Sequence, residues 1–255
     1  MELGYVVAGL VVGFIVGLTG VGGGSLMTPI LLWFGINPAT AVGTDLLYAA
    51  VTKAGGVLVH HRQRHVDWRL VGWLAAGSVP ASMATLFFLS TAHLASHQQD
   101  SLIKSMLGVA LILTSVAILF KPWLLKRVPG RFRNASFESL RPLIVLTGVM
   151  LGVLVTLSSI GAGALGTLAL FVLLPALPTT RLVGTEIAHA VPLTLVAGLG
   201  HAHLGNLDIP LLVNLLVGSL PGIWLGSKLT HKMAEGLLRP ALAVMLVVVG
   251  AKLVV

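Results

Sequence analysis

Two glycine-rich stretches carry hydroxyl side chains at corresponding places in the chain, and both have the composition of an anion site. They are Thr19-Gly20-Val21-Gly22-Gly23-Gly24-Ser25 and Ser158-Ser159-Ile160-Gly161-Ala162-Gly163. Glycine runs interrupt helices, and the N–H groups freed at a new helix start favour a negatively charged ligand. Thr19, Ser25, Ser158 and Ser159 would add hydroxyl donors. For the glycines alone, close helix packing is an equally good interpretation.

Charged side chains inside apolar segments form a second candidate group. Asp45 and Lys53 lie in one such segment, and Glu186 lies in another. Ionisable groups in lipid are costly and usually face a cavity or one another. Lys53 is therefore either part of an ion pair with one of the acids or a positive charge on an anion path. The two acids are either helix caps or coupling groups.

Neighbours of the two acids extend this group. Thr44 and Thr185 directly precede the acids and are further substrate-binding candidates. His189 follows Glu186 by three residues, so both side chains lie on one helix face and are able to share a proton. The alternative is a neutral histidine that is hydrogen-bonded within the helix bundle.

Other chemistries find little support in the sequence. The chain has no cysteine, so it has no disulfide and no thiolate. The histidines at 60, 61 and 65 and those at 201 and 203 have too few neighbouring ligands for a closed zinc site. Ser25 with His189 is the sole nucleophile and base pair available, and no nucleophile-elbow motif surrounds Ser25. We expect no catalytic residue, no metal and no cofactor.

The composition predicts an integral membrane protein. Of the 255 residues, 56% are hydrophobic and only 9% are charged, and the mean hydropathy is +0.99. The apolar segments are long and do not alternate with polar residues, which favours helices over a barrel. The net charge of +8 comes from short loops beside these segments, so the expected partners are the lipid bilayer and a small anion, and not nucleic acid.

An internal repeat with an offset of 141 residues organises the chain. Val42-Gly43-Thr44-Asp45 corresponds to Val183-Gly184-Thr185-Glu186, and Gly77-Ser78-Val79-Pro80 corresponds to Gly218-Ser219-Leu220-Pro221. Residues 1–120 form one predicted repeat and 143–255 the other. The basic segment 121–142 joins them. Each repeat contains five apolar elements, and the second element holds only about ten residues, too few to cross a bilayer.

The predicted fold is therefore an all-α integral membrane protein of two inverted-topology repeats. Each repeat has a glycine-broken re-entrant hairpin and about three full transmembrane helices. An odd number of elements per repeat inverts the second one. Placing both termini outside puts 13 of the 16 Lys and Arg residues on the cytoplasmic side, as the positive-inside rule expects.

With the glycine-rich break, the helix start Ala41-Val42-Gly43-Thr44 and the segment Val66-Asp67-Trp68-Arg69, the sequence resembles the TauE/SafE sulfite exporter family. The resemblance covers nearly the whole chain. It implies a bacterial or archaeal plasma-membrane carrier of small sulfur-containing anions such as sulfite or organosulfonates. Where members of that family often carry a small neutral polar residue after the threonine, this sequence has Asp45 and Glu186.

The resulting hypothesis is a secondary transporter that works by alternating access, with export as the expected direction. The two hairpins would hold the anion, Lys53 would offset its charge, and Asp45, Glu186 and His189 would be the coupling candidates. An anion channel with the same site is the alternative, followed by an intramembrane enzyme. A homodimer is left open.

Overall fold

The structure, a computed structural model, describes residues 2–19, 24–92, 96–127, 136–229 and 235–254, which form ten helices and no strand. The helices are α1 Glu2–Thr19, α2 Gly24–Trp33, α3 Pro38–Arg62, α4 Trp68–Thr91, α5 Ser96–Lys126, α6 Phe137–Ser158, α7 Ala164–Leu173, α8 Thr179–His203, α9 Ile209–Leu229 and α10 Glu235–Val254. The all-helical prediction is confirmed for this part of the chain.

Six of these helices are long and apolar enough to cross a membrane. They are α3, α4, α6, α8, the segment Asp100–Lys121 of α5 and the segment Ile209–Gly226 of α9. Large apolar side chains such as Phe87, Met150 and Trp224 are 69%, 66% and 58% exposed, as suits a surface that faces lipid. By contrast α2 and α7 have ten residues each, or about 15 Å, roughly half of the hydrocarbon thickness.

The two sequence halves interlock and do not form separate bundles. The first helix of each half packs on the fourth helix of the other, so that α1 contacts α9 and α6 contacts α4. The third helices, α3 and α8, pack against each other, as do the fifth helices, α5 and α10. Most of these contacts therefore occur in pairs related by the repeat.

Glycines permit the tight packing of α1 on α9 and of α6 on α4. Gly9 and Gly13 face the backbone of Leu215 and Ser219, and Gly148 and Gly152 face the backbone of Leu74 and Ser78. Both pairs have the small-xxx-small spacing that brings membrane helices close together. Gly148 and Gly152 follow Gly9 and Gly13 by 139 residues, whereas Leu215 and Ser219 follow Leu74 and Ser78 by 141. The single offset is therefore two residues too long for the first helices.

This packing predicts opposite effects for two glycine-to-alanine substitutions. A Cβ atom at Gly13 would lie 2.7 Å from the Ser219 Cα atom, whereas one at Gly72 would meet nothing within 4 Å. We expect Gly13→Ala to lower the free energy of unfolding by about 1–3 kcal/mol. Gly72→Ala should leave it unchanged or raise it by up to about 1 kcal/mol, because alanine favours the helix. Thermal unfolding in detergent measures both, and equal effects would contradict the packing.

The turns that follow α3 and α8 have the same geometry. The His65 N–H donates to the His60 carbonyl, and the Asn206 N–H donates to the His201 carbonyl, both at 2.9 Å. Arg64 and Gly205 occupy the left-handed position of each turn, with φ of 58° and 79°. The repeat thus extends from the sequence to the backbone hydrogen bonds.

The non-helical part of the basic linker is shorter than the predicted 121–142. Helix α5 continues to Lys126, and α6 begins at Phe137, where the Ser136 hydroxyl accepts a hydrogen bond from the Ser139 N–H. The prediction placed the linker by its charge, but Lys and Arg are good helix formers and do not end a helix.

Candidate functional site

The acid of α3 lies in the protein interior and contacts the short helix α2. Asp45 is fully buried, and its Oδ2 atom accepts a hydrogen bond of 2.5 Å from the Thr28 hydroxyl. Its Oδ1 atom has no hydrogen-bond partner among the described residues. The N-terminus of α3 is capped instead by Asn37, whose Oδ1 atom accepts from the Ala39 N–H at 2.9 Å. Asp45 is therefore not a helix cap.

The equivalent acid of α8 faces the second short helix without a hydroxyl partner. Glu186 is 3% exposed, and a Cβ atom at Gly166 of α7 would lie 3.4 Å from its Oε1 atom. That oxygen has no hydrogen-bond partner in the described part of the chain. Helix α7 carries Ala169 at the position equivalent to Thr28. The two acids thus occupy related sites with different polarity.

A second pair of repeat-related groups lies one turn farther along α3 and α8. His189 is fully buried, and its ring Nε2 atom lies 2.8 Å from the Ser78 hydroxyl of α4. Tyr48 is the repeat equivalent of His189, and its side chain faces Ser219 of α9, the equivalent of Ser78. These contacts join each central helix to the fourth helix of one half.

Lys53 is half-buried and lies near all three coupling candidates. Its Nζ atom donates to the Ala162 carbonyl at 3.4 Å and forms no ion pair with Asp45 or Glu186 within 4.0 Å. Its charge nevertheless acts on Asp45, Glu186 and His189. The ion-pair alternative is not what the structure shows, and the ammonium group is available to another anion.

A small cavity adjoins the Lys53 side chain. Its volume is about 10 Å³, which is the space of about one water molecule. The polar or glycine residues of its lining are Lys53, Thr114, Ser159, Gly161, Gly163 and Thr194. The hydroxyls of Thr114 and Ser159 have no hydrogen-bond partner among the described residues. A cation and two free hydroxyl groups therefore converge on one enclosed space.

The turn between α6 and α7 forms one wall of this cavity. Gly161 has a φ of 116°, which only glycine adopts without strain, and Ser159 is left-handed with a φ of 57°. The Gly166 N–H closes the turn by donating to the Gly161 carbonyl at 2.9 Å. The N–H groups that precede it in the first turn of α7 have no partner within that helix, and a helix start of this kind favours an anion.

Ser158 has a different role from its neighbour. Its hydroxyl donates to the Leu154 carbonyl at 2.6 Å and accepts from the Ile160 N–H at 3.2 Å. These bonds stabilise the turn itself. Of the two predicted serines, only Ser159 contributes a free hydroxyl to the cavity.

Thr44 and Thr185 hold loops from the opposite half. The Thr44 hydroxyl accepts from the Asp208 N–H at 3.2 Å, and the Thr185 hydroxyl accepts from the Asp67 N–H at 2.9 Å. Neither threonine lines the cavity. Their hydrogen bonds join each central helix to the loop before α9 or α4.

The threonine contacts predict a stability effect. Thr185→Val would leave the Asp67 N–H without its partner, and an unsatisfied group of this kind costs about 1–3 kcal/mol. The control is Thr147→Val, because the Thr147 hydroxyl bonds only to the Leu143 carbonyl of its own helix. We expect the midpoint of thermal unfolding to fall in the first variant and not in the second. Equal midpoints would contradict a role of Thr185 between the halves.

The first glycine-rich stretch can be placed only in part. Gly20, Gly22 and Gly23 lie outside the described residues. Thr19 ends α1, while Gly24 and Ser25 begin α2, but their side chains also lie outside the described part. The structure therefore brings together Lys53, Ser159, Gly161 and Gly163 of the predicted site.

The residue-by-residue sequence reading missed several polar residues of the interior. Thr28, Tyr48, Thr114 and Thr194 were not predicted as site residues. The repeat held a signal for two of them, since Thr194 is the equivalent of Lys53 and Tyr48 that of His189. Isolated threonines in apolar segments such as Thr28 and Thr114 have no comparable signal, because helices commonly satisfy them internally.

Comparisons with known proteins agree with a membrane transporter. The chain is 39% identical to the probable membrane transporter protein YjnA of Bacillus subtilis (strain 168), with all of both chains covered. It is 29% identical to YdhB of the same organism, also a probable membrane transporter protein, over 90% of this chain and 91% of that one. MJ0441 of Methanocaldococcus jannaschii, of the same description, is 26% identical over 96% and 92%.

No solved structure matches the chain significantly. Residues 5–253 match the family described as Sulfite exporter TauE/SafE. This match covers almost every apolar helix and the turn that lines the cavity. The chain is thus a multi-pass membrane protein that belongs to the TauE/SafE sulfite exporter family.

Proposed function

We propose that this protein is a secondary transporter that moves small sulfur-containing anions, such as sulfite or an organosulfonate, across a bacterial or archaeal plasma membrane, with export as its direction. The observation that carries the proposal is the enclosed cavity on which Lys53 and the free hydroxyls of Thr114 and Ser159 converge. Family membership supports the substrate class. A cation with several hydrogen-bond donors suits an oxyanion with several acceptor oxygens.

In this proposal the anion occupies the space between Lys53 and the first turn of α7. The Lys53 ammonium offsets the negative charge, and Ser159 and Thr114 donate hydroxyl hydrogen bonds to the oxygens. The N–H groups at the start of α7 add further donors with the favourable end of the helix dipole. Gly161 and Gly163 leave the approach to these N–H groups free of side chains.

The proposed mechanism is alternating access. A cavity of about 10 Å³ holds about one water molecule, so a sulfur oxyanion fits only after the site has opened. The interlocked contacts, in which α1 moves with α9 and α6 moves with α4, provide two related units that are able to rock about α3 and α8. We infer that the halves are inverted repeats and that α2 and α7 belong to re-entrant hairpins at mid-membrane depth.

The proposed orientation places both termini outside and the basic linker in the cytoplasm. Ionic contacts near the linker are consistent with this orientation, because Glu138 pairs with both Arg69 and Arg141 in a basic region. Asp67 pairs with Arg181 at 3.1 Å on the same proposed side. The repeat equivalent of Arg181 is Thr40, so Asp208 on the opposite side has no arginine in the equivalent position.

Proton coupling through Glu186 is part of the proposal and has its own test. Glu186 has a buried oxygen without a partner and lies near Lys53, so a bound proton would change the charge of the site. We expect Glu186→Gln to retain anion flux but to lose the acceleration caused by an imposed pH gradient. The control is Glu138→Gln, since Glu138 is exposed. An unchanged response to the gradient in Glu186→Gln would exclude this acid as the coupling group.

The substrate class is tested by flux of sulfur-labelled sulfite into proteoliposomes of the purified protein. We expect saturable flux that an organosulfonate inhibits more strongly than sulfate does. The control is protein-free liposomes at the same pH. Absence of flux with folded protein would contradict the sulfur-anion proposal and leave the family membership unaffected.

A further inference from the structure

A second, larger pocket lies at the ends of α2, α5 and α10, away from the Lys53 cavity. Its volume is about 520 Å³, within the range of about 300–1,000 Å³ typical of ligand sites. It is lined by apolar residues of α2, by the turn that leads into α3, by the start of α5 and by the end of α10. Pro29, Leu32, Ile36, Val249 and Leu253 form its apolar part.

Two lysines lie in this pocket. Lys104 of α5 and Lys252 of α10 both line it, both are exposed, and neither has an ion pair among the described residues. The one acid of the lining, Asp100, accepts a hydrogen bond of 2.6 Å from the Asn37 side-chain amide. The Asn37 carbonyl oxygen in turn caps α3. The acid is therefore held in place, and the pocket has an excess of one positive charge.

The position of the pocket is that of a membrane boundary. Asp100 begins the membrane-span segment of α5, and Lys252 lies in the last turn of α10. Trp33, which ends α2 and also lines the pocket, is 63% exposed. Tryptophan is enriched where helices leave the hydrocarbon region, at the level of the lipid headgroups. A pocket here is open to lipid headgroups and is bordered by an apolar wall.

We propose that this pocket binds an anionic phospholipid. The phosphate lies between Lys104 and Lys252, and an acyl chain lies along the apolar wall formed by Leu32, Val249 and Leu253. The chemistry that it recognises is a phosphate group joined to an apolar body, and basic pockets between membrane helices bind such headgroups. Free inorganic phosphate would satisfy the lysines but would leave the apolar wall uncovered.

The test is photo-crosslinking of the full-length protein in mixed micelles with phosphatidylglycerol that carries a photoreactive acyl chain, followed by peptide mapping. We expect labelled peptides from residues 29–36 and 249–253. In Lys104→Met/Lys252→Met this labelling should fall by about 20-fold, from about 1 kcal/mol for each lysine. Labelling at the basic linker should stay unchanged in the same sample. Lys104→Arg/Lys252→Arg should restore the lost labelling.

Three results would overturn the proposal. Labelling of the pocket that persists in the double methionine variant would show that the lysines do not select the lipid. Equal labelling by phosphatidylcholine with the same acyl chains would show that negative charge is not recognised. Displacement of the label by excess inorganic phosphate would assign the pocket to a free anion. Sulfite flux is measured on the same variants, so failure of this site and failure of the transport proposal are distinguishable.

Discussion

Lys53→Met is expected to reduce sulfite flux by about 100-fold at low substrate concentration, while the protein remains folded. The ammonium group is the one cation of the cavity lining, and it lies beside the free hydroxyl groups that would contact the anion. Two unit charges 4 Å apart attract by about 4 kcal/mol at an effective dielectric constant of 20. A loss of about 2.7 kcal/mol is enough for a 100-fold change. Initial rates of labelled sulfite uptake give the comparison.

The matched control for this variant lies on the same helix. Thr52→Val removes a hydroxyl that donates to the Tyr48 carbonyl of α3 itself at 2.9 Å, so its flux should stay near that of the unmodified protein. Lys53→Arg keeps the charge but adds bulk to a small cavity, and it should fall between the two. Wild-type flux in Lys53→Met would remove the lysine from the proposed anion path.

Gly163→Leu should abolish sulfite flux by filling the space that the anion must enter. Gly163 lines the cavity at the start of α7, and its φ of −116° is open to any residue, so the leucine does not strain the backbone. Displacing a bound substrate by about 1 Å already costs about 100-fold in rate, and a leucine side chain excludes it altogether. Initial rates of labelled sulfite uptake into proteoliposomes measure the loss.

A graded series separates this effect from misfolding. Gly163→Ala should retain part of the flux, whereas Gly55→Leu should retain nearly all of it, because a Cβ atom at Gly55 would meet nothing within 4 Å. Monodisperse elution and a normal unfolding midpoint are required of every variant. Rapid transport by folded Gly163→Leu would contradict an anion site at this turn.

The sequence was sufficient to predict the helical class and most of the organisation. Glycine runs ended helices near Thr19 and Ser158, and ten-residue apolar segments formed the two short helices α2 and α7. The acids at 45 and 186 are buried, as expected of charges within apolar segments. These features follow from local composition and from the cost of polar groups in lipid.

Contacts between the two halves could not be predicted from the sequence. The hydroxyls of Thr44 and Thr185 bind loops of the opposite half, a pairing that depends on how the helices interlock. The offset of 141 residues concealed the correspondence of Gly9 and Gly13 with Gly148 and Gly152, because the first helices are shifted by two residues. Such partners depend on tertiary packing and not on local pattern.

Glycine therefore has two separate uses in this protein, and the sequence alone could not assign them. At Gly161 the positive φ forms the turn beside the cavity, as the binding-site interpretation expects. At Gly9 and Gly148 the missing side chain lets two helices approach, as the packing interpretation expects. Both interpretations apply, but to different glycines.

Counterflow of labelled sulfite in proteoliposomes is the most direct test of the proposed carrier. Vesicles preloaded with unlabelled sulfite should accumulate label transiently above the external concentration, and the initial rate should saturate with external sulfite. Alternating access gives this result because the loaded site returns faster when it carries an anion. A rate that rises linearly with concentration and is indifferent to internal sulfite would show a channel, and would contradict the mechanism proposed for the Lys53 cavity.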